Sequence, residues 1–159
     1  MVDVGTDAIQ TFFFKAMLEG YAAGGSKKLP VVGMPGYKEV RLSDGNFLLV
    51  DCWCTNSDTQ KSAGTTTIWV DMVPVWVMHY GGFYDKSVTP FLKRALYKNY
   101  KTQKFFGGRG PLTYDERPIT YVNQPRFEKF DKFEGREEVF DSVRLITLGF
   151  HEYWGMSLL

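Results

Sequence analysis

The stretch GTTTIWVDMVPVWVMHYGGFY, residues Gly64–Tyr84, reads as two strands joined by a tight turn. A two-residue loop at Asp71-Met72 or at Met72-Val73 connects its halves. Side chains alternate along a strand, and directly opposed residues share a face. Either loop then places Thr66, Ile68 and Val70 with Val75, Val77 and His79 on one face. Thr65, Thr67 and Trp69 fall with Trp76, Met78 and Tyr80 on the other. The first set is β-branched and apolar, the material of a face packed on helices. The second is aromatic, hydroxylic and soft, which suits contact with a ligand, although such stripes also serve simply as core.

Outward from the hairpin, Thr6–Glu19 carries Ile9, Phe12, Phe13, Ala16 and Met17 at the spacing of one helical stripe. Thr6 is its expected cap and Gly20 its expected stop. The segment GYAAGGSKKLPVVGMPG (20–36) is rich in Gly and Pro and reads as a long loop, a type that tends to carry function. Tyr37–Arg41 and Asn46–Cys54 are strands around the turn Ser43-Asp44-Gly45, and Phe47, Leu49, Asp51 and Trp53 share a face of the second. An acid between aromatics there needs a partner if it is buried. A polar loop, Thr55–Ala63, precedes the hairpin.

Ser87–Tyr100 is a second helix, capped by Ser87, with Val88, Phe91, Leu92, Ala95, Leu96 and Tyr100 as its apolar stripe. GGRGP (107–111) is a loop, and Ile119–Asn123, Phe127–Phe133, Glu137–Val143 and Leu145–Tyr153 read as strands. The order predicts one α+β domain over residues 1–159: a mainly antiparallel twisted sheet with two principal helices packed on one face.

Composition narrows the function. A 159-residue chain should bury about 70% of its unfolded surface, enough for a core without disulfide or metal. The net charge of +1 argues against a dedicated nucleic-acid binder. The opening MVDVGTDAIQ has no basic and apolar signal pattern, and no apolar run reaches the length of a membrane span. Cys52 and Cys54 sit too close along one strand for an easy disulfide, which fits reduced thiols in the cytoplasm.

GYAAGG (20–25), MPG (34–36), PVWVMHYGG (74–82), FLKRALY (91–97), FGGRGP (106–111), FEG (133–135) and the terminal HEYWGMSLL run in a characteristic order. In these the chain resembles an uncharacterised bacterial family, domain of unknown function 5680, over most of its length. Some members carry an added helix-turn-helix segment, which implies a ligand-sensing role. This chain shows no such segment, so DNA binding does not carry over, and the resemblance implies no catalytic residues.

Several groups could carry chemistry. Between Lys93 and Arg117 seven cationic residues stand against Asp115 and Glu116, and Arg109 sits among glycines that let backbone approach a ligand. It is the expected anion anchor, or alternatively an exposed arginine on a solvated turn. His79 and His151 are the titratable candidates; alternation puts His79 away from the aromatic face. The chain lacks nucleophile elbows, metal-ligand spacings and dinucleotide fingerprints, so no cofactor and no metal is expected.

The expected function is a cytoplasmic binding module for an aromatic or anionic small molecule, without catalysis. Its candidate ligand-binding residues are Tyr21, Asp51, Trp69, Trp76, Tyr80 and Arg109. One alternative is an acid–base hydrolase or isomerase using Asp51 with His79 or His151. Another is a homodimeric protein-interaction domain.

Overall fold

Val70 pairs with Val73 and Trp69 with Pro74, so the turn is the two-residue Asp71-Met72 loop. Both residues have positive φ, 49° and 65°, the primed-turn geometry that matches strand twist. The register then shifts. Ile68 faces Trp76, which leaves Val75 unopposed in a β-bulge. One extra residue exchanges the faces of everything beyond it. Trp76, Met78 and Tyr80 therefore lie with Thr66 and Ile68, while Val77 and His79 lie with Thr67 and Thr65. The partition expected from simple alternation is corrected: the aromatic residues after the turn join the apolar face.

The computed structural model describes residues 4–22, 24 and 26–159. Its strands are β1 (Leu29–Pro30), β2 (Tyr37–Asp44), β3 (Phe47–Thr55), β4 (Lys61–Val70), β5 (Val73–Tyr84), β6 (Thr113–Glu116), β7 (Ile119–Lys129), β8 (Lys132–Asp141) and β9 (Ile146–Ser157). They form one nine-stranded antiparallel sheet in the order β1-β2-β3-β4-β5-β9-β8-β7-β6. Helix α1 (Thr6–Met17) precedes the sheet, and α2 (Thr89–Thr102) links β5 to β6. The class is α+β, dominated by sheet.

Helix α1 buries the expected stripe together with Phe14. Its cap position is Gly5, not Thr6, and makes no side-chain bond. Gly20 does not stop the chain either; Leu18–Ala22 continues as a π-helical turn. A Cβ at Gly20 would press on the tip of the Leu42 side chain of β2, which would have to turn aside. Before α2, the Asp85 side chain, rather than Ser87, caps a short turn by accepting from the Ser87 N–H at 2.8 Å. Strand β1 forms in a segment read as loop, and β6 in a segment between the GGRGP loop and Ile119 that no element was expected to occupy. Strand β7 runs through Pro125, with a register shift before Phe127, and turns at Phe130-Asp131 where a single strand was expected.

Residues of α1 and α2 share one apolar cluster with Leu49, Ile68, Trp76, Met78, Tyr121, Phe133 and Val139. Trp76 has no exposed surface; it stacks on Phe130 and Phe133 at 5.1 and 5.2 Å and donates its indole N–H to the Phe130 carbonyl at 2.9 Å. Its place is the core.

Candidate functional site

Five strands place directly opposed residues in one row: Ser62 on β4, Gly82 on β5, His151 on β9, Glu137 on β8 and Asn123 on β7. The neighbouring row holds Trp53, Gly64, Tyr80 and Tyr153, and Asp51 lies beside it opposite Thr66. All these positions share the parity of the buried apolar residues, so the sheet carries a polar patch within its inward row.

The GGRGP loop delivers Arg109 onto that patch. Gly107 and Gly108 take φ of 76° and 75°, which glycine adopts at little cost. Asn99 Nδ2 donates to the Arg109 carbonyl at 2.6 Å, and Asn123 Nδ2 donates to the carbonyls of Phe106 and Gly110 at 2.8 and 3.1 Å. Clamped in this way, Arg109 is only 3% exposed. Its Nη2 and Nε donate to Glu137 Oε1 at 2.6 and 3.0 Å, and Glu137 is fully buried. The Tyr121 hydroxyl donates to the other carboxylate oxygen at 2.7 Å. Burial pushes Glu137 up, but the Arg109 charge and these hydrogen bonds outweigh it and hold the carboxylate below its usual range. Arg109 is thus neither exposed nor a free anion anchor. Its charge is committed to Glu137.

Asp51 is different. It is 7% exposed, and its Oδ1 accepts from the Thr66 hydroxyl at 2.8 Å and the Tyr80 hydroxyl at 2.9 Å. It forms no ion pair among the described residues. Burial raises its pKa, and the two hydroxyls with the more distant Arg109 charge only partly oppose that. The Tyr80 ring lies under the Arg109 guanidinium at 5.4 Å and stacks on the His151 ring at 5.5 Å.

His151 Nε2 is 3.2 Å from the Ser62 hydroxyl. Its Nδ1 stands 3.8 Å from Glu137 Oε1, beyond hydrogen-bond range, and has no partner among the described residues; nor has the buried Tyr84 hydroxyl. Burial and the nearby Arg109 charge push His151 down to about 4, against the pull of Glu137, so it is neutral at pH 7.

These groups line a cavity of about 240 Å³. Asp51, Tyr80, Tyr84, Arg109 and His151 form its buried part, and Lys28, Lys86 and Lys93 stand at its more exposed side. The π-helical turn brings Tyr21 to the wall, with Lys93 Nζ 5.8 Å from its ring centroid. Lys28 Nζ lies 5.6 Å from the centroid of Trp53, another wall residue.

Of the residues singled out in the sequence, Tyr21, Asp51, Tyr80 and Arg109 are brought together around this cavity. Trp76 is in the core, and Trp69 shares the parity of Thr65 and Thr67 on the opposite face. His79 also lies on that face, stacked on Trp154 at 4.5 Å, away from Asp51. Sequence reasoning counted Lys93 within the cationic stretch up to Arg117, and passed over Glu137, Tyr121, Tyr84, Ser62, Lys28 and Lys86. Glu137 did carry a signal: an acid spaced two residues from Val139 on the inward parity of its strand.

A family model matches residues 57–155, which hold β4, β5, α2, the GGRGP loop and the strands after it. The chain belongs to the family of domain of unknown function DUF5680. The DUF5680 match takes in Tyr80, Tyr84, Lys93, Arg109, Glu137 and His151, and leaves Tyr21, Lys28 and Asp51 outside it. It is shorter than the motifs suggested: MPG (34–36) lies before it, as does GYAAGG (20–25), of which Ala23 and Gly25 fall outside the described residues. No curated protein and no solved structure matches the chain.

Proposed function

We propose that this DUF5680 chain is a small-molecule-binding module that holds a polar metabolite in the Asp51 cavity without transforming it. In this reading both helices cover one face of the sheet, the cavity lies on that face, and the protein works in the cytoplasm, where free Cys52 and Cys54 stay reduced. The observation that carries the proposal is Asp51: a buried carboxyl at a cavity wall, with two hydroxyls on one oxygen and no cation of its own. Such a group costs stability unless something compensates it, and titratable groups of this kind cluster at functional sites. Pockets that bind ligands are concave and mostly preformed, with a few convergent polar groups, as here.

Acid–base catalysis has less behind it. His151 is a weak base, its pKa pushed down to about 4, and makes no hydrogen bond to a carboxylate, and His79 faces away from Asp51. The test is a thermal-shift and calorimetric screen of polar metabolites against wild-type protein and Asp51→Asn. Binding that weakens in the variant is expected. A screen in which nothing binds, or in which Asp51→Asn binds every hit unchanged, would overturn the proposal.

A further inference from the structure

We infer that the ligand is a zwitterion of amino-acid size, with its ammonium on Asp51 and its anionic group at Lys28 and Lys93; the inference rests on the binding reading above. Charge divides the cavity into two ends. Asp51 is the one acid at its wall among the described residues. The nearest buried cation, Arg109, is neutralised by Glu137 through two hydrogen bonds to one oxygen, so Asp51 keeps an uncompensated charge when ionised. An ammonium supplies the missing partner, and a charge-assisted bond in a dry site is stronger than a neutral one.

At the open side the sign reverses. None of Lys28, Lys86 and Lys93 forms an ion pair among the described residues. Lys28 has its pKa lowered by burial and then by the charges of Lys93 and Lys38, so an anion between Lys28 and Lys93 relieves the repulsion. Three of the rings at the wall are poor seats for the ammonium. Trp53, Tyr21 and Tyr80 already carry Lys28, Lys93 and Arg109 over their faces. Size fits the same class. The cavity of about 240 Å³ exceeds the roughly 150 Å³ that holds benzene and falls below the roughly 300 Å³ at which drug-sized sites begin.

The experiment is calorimetric titration with the twenty standard amino acids, each beside its decarboxylated amine and its 2-hydroxy acid. At least one amino acid is expected to bind, with its amine and hydroxy acid at least tenfold weaker. Asp51→Asn, which keeps an oxygen for Thr66 and Tyr80, should weaken the amino acid at least tenfold and leave the hydroxy acid unchanged. Lys93→Met, at the open side, should weaken amino acid and hydroxy acid and spare the amine. A hydroxy acid or amine that binds as tightly as the amino acid, and that Asp51→Asn weakens, removes the zwitterion and leaves the binding module standing. Amino-acid binding indifferent to both substitutions overturns the assignment to this cavity. If no compound binds in any arm, the zwitterion assignment falls, and the wider screen of polar metabolites decides the binding module separately.

Discussion

The Tyr80 hydroxyl donates to Asp51 Oδ1 at 2.9 Å, and it crosses the position of Gly64 to do so. Gly64 is directly opposite Tyr80 on β4, and Asp51 is one strand further on. With no side chain at Gly64, the phenol lies across the sheet and joins two networks. Its hydroxyl serves Asp51, while its ring lies 5.4 Å from the Arg109 guanidinium and 5.5 Å from the His151 imidazole. Tyr80 thus sets where the lone carboxyl stands relative to the buried ion pair.

Gly64→Ala tests that placement. The new Cβ would meet Tyr80 Oη at 2.5 Å, Tyr80 Cζ at 2.6 Å and the Trp53 Cβ at 2.7 Å, so the ring must move. Overpacking of this kind costs about 1–3 kcal/mol, read by urea denaturation. Asp51 should also titrate higher than in wild type, because the Tyr80 hydrogen bond that draws its pKa down is lost. A carboxyl NMR titration of Asp51 that does not move would contradict this account of Tyr80.

The Arg109–Glu137 pair should behave as a buried unit. Arg109→Met leaves Glu137 uncompensated at full burial, and Glu137→Leu does the same to Arg109. Each single change is expected to cost about 3–5 kcal/mol by chemical denaturation. The double variant should lose much less than the sum, since neither stranded charge remains. Additive losses would mean that the pair is solvated rather than buried.

Asp51→Asn is expected to stabilise the unliganded protein at neutral pH while weakening binding. Asp51 has its native pKa raised above the unfolded value. Between the two values the native state binds the extra proton, so this contribution to stability is full below the unfolded pKa of about 3.9 and is lost as pH rises through the native one. The amide avoids that loss and can still accept from Thr66 and Tyr80. A gain of about 0.5–2 kcal/mol at pH 7 is expected, shrinking toward pH 4. A variant less stable than wild type at pH 7, with the gap closing in acid, would show that the carboxylate is favourably held.

The elements with strong local periodicity were legible in the sequence. Both helices, the hairpin turn and the shared face of Phe47, Leu49, Asp51 and Trp53 all follow from spacing. The bulge at Val75 was not: Pro74 signals an irregularity in a central strand, but nothing in VPVWV says which neighbour is extruded. That single residue decides whether Tyr80 shares a face with Thr66 or with Thr65, and so whether it can reach Asp51. The loop glycines around Arg109 pointed to the right backbone, but its partner is 28 residues away on another strand, a separation no local pattern reports. The same holds for the row from Ser62 to Asn123, which exists only because β9 returns to pair with β5.

His151 gives the clearest pH signature. Its native pKa is pushed down to about 4 by burial and by Arg109, with Glu137 pulling the other way, whereas the unfolded value is about 6.5. Below pH 6.5 the unfolded chain takes up a proton that the native state refuses. The contribution is therefore present above about 6.5 and is lost as pH falls toward 4. At about 1.4 kcal/mol for each pKa unit, wild type should lose about 3 kcal/mol relative to His151→Phe between pH 7 and pH 4. Asp51 slopes the other way in acid, but it is present in both proteins and cancels in the difference. Stability curves measured for the pair at half-unit steps would show wild type falling relative to the variant as the solution is acidified, and ring-proton NMR should find native His151 still neutral at pH 5. A native titration near 6.5, or parallel stability curves, would place the imidazole in solvent contact and remove it from the buried patch.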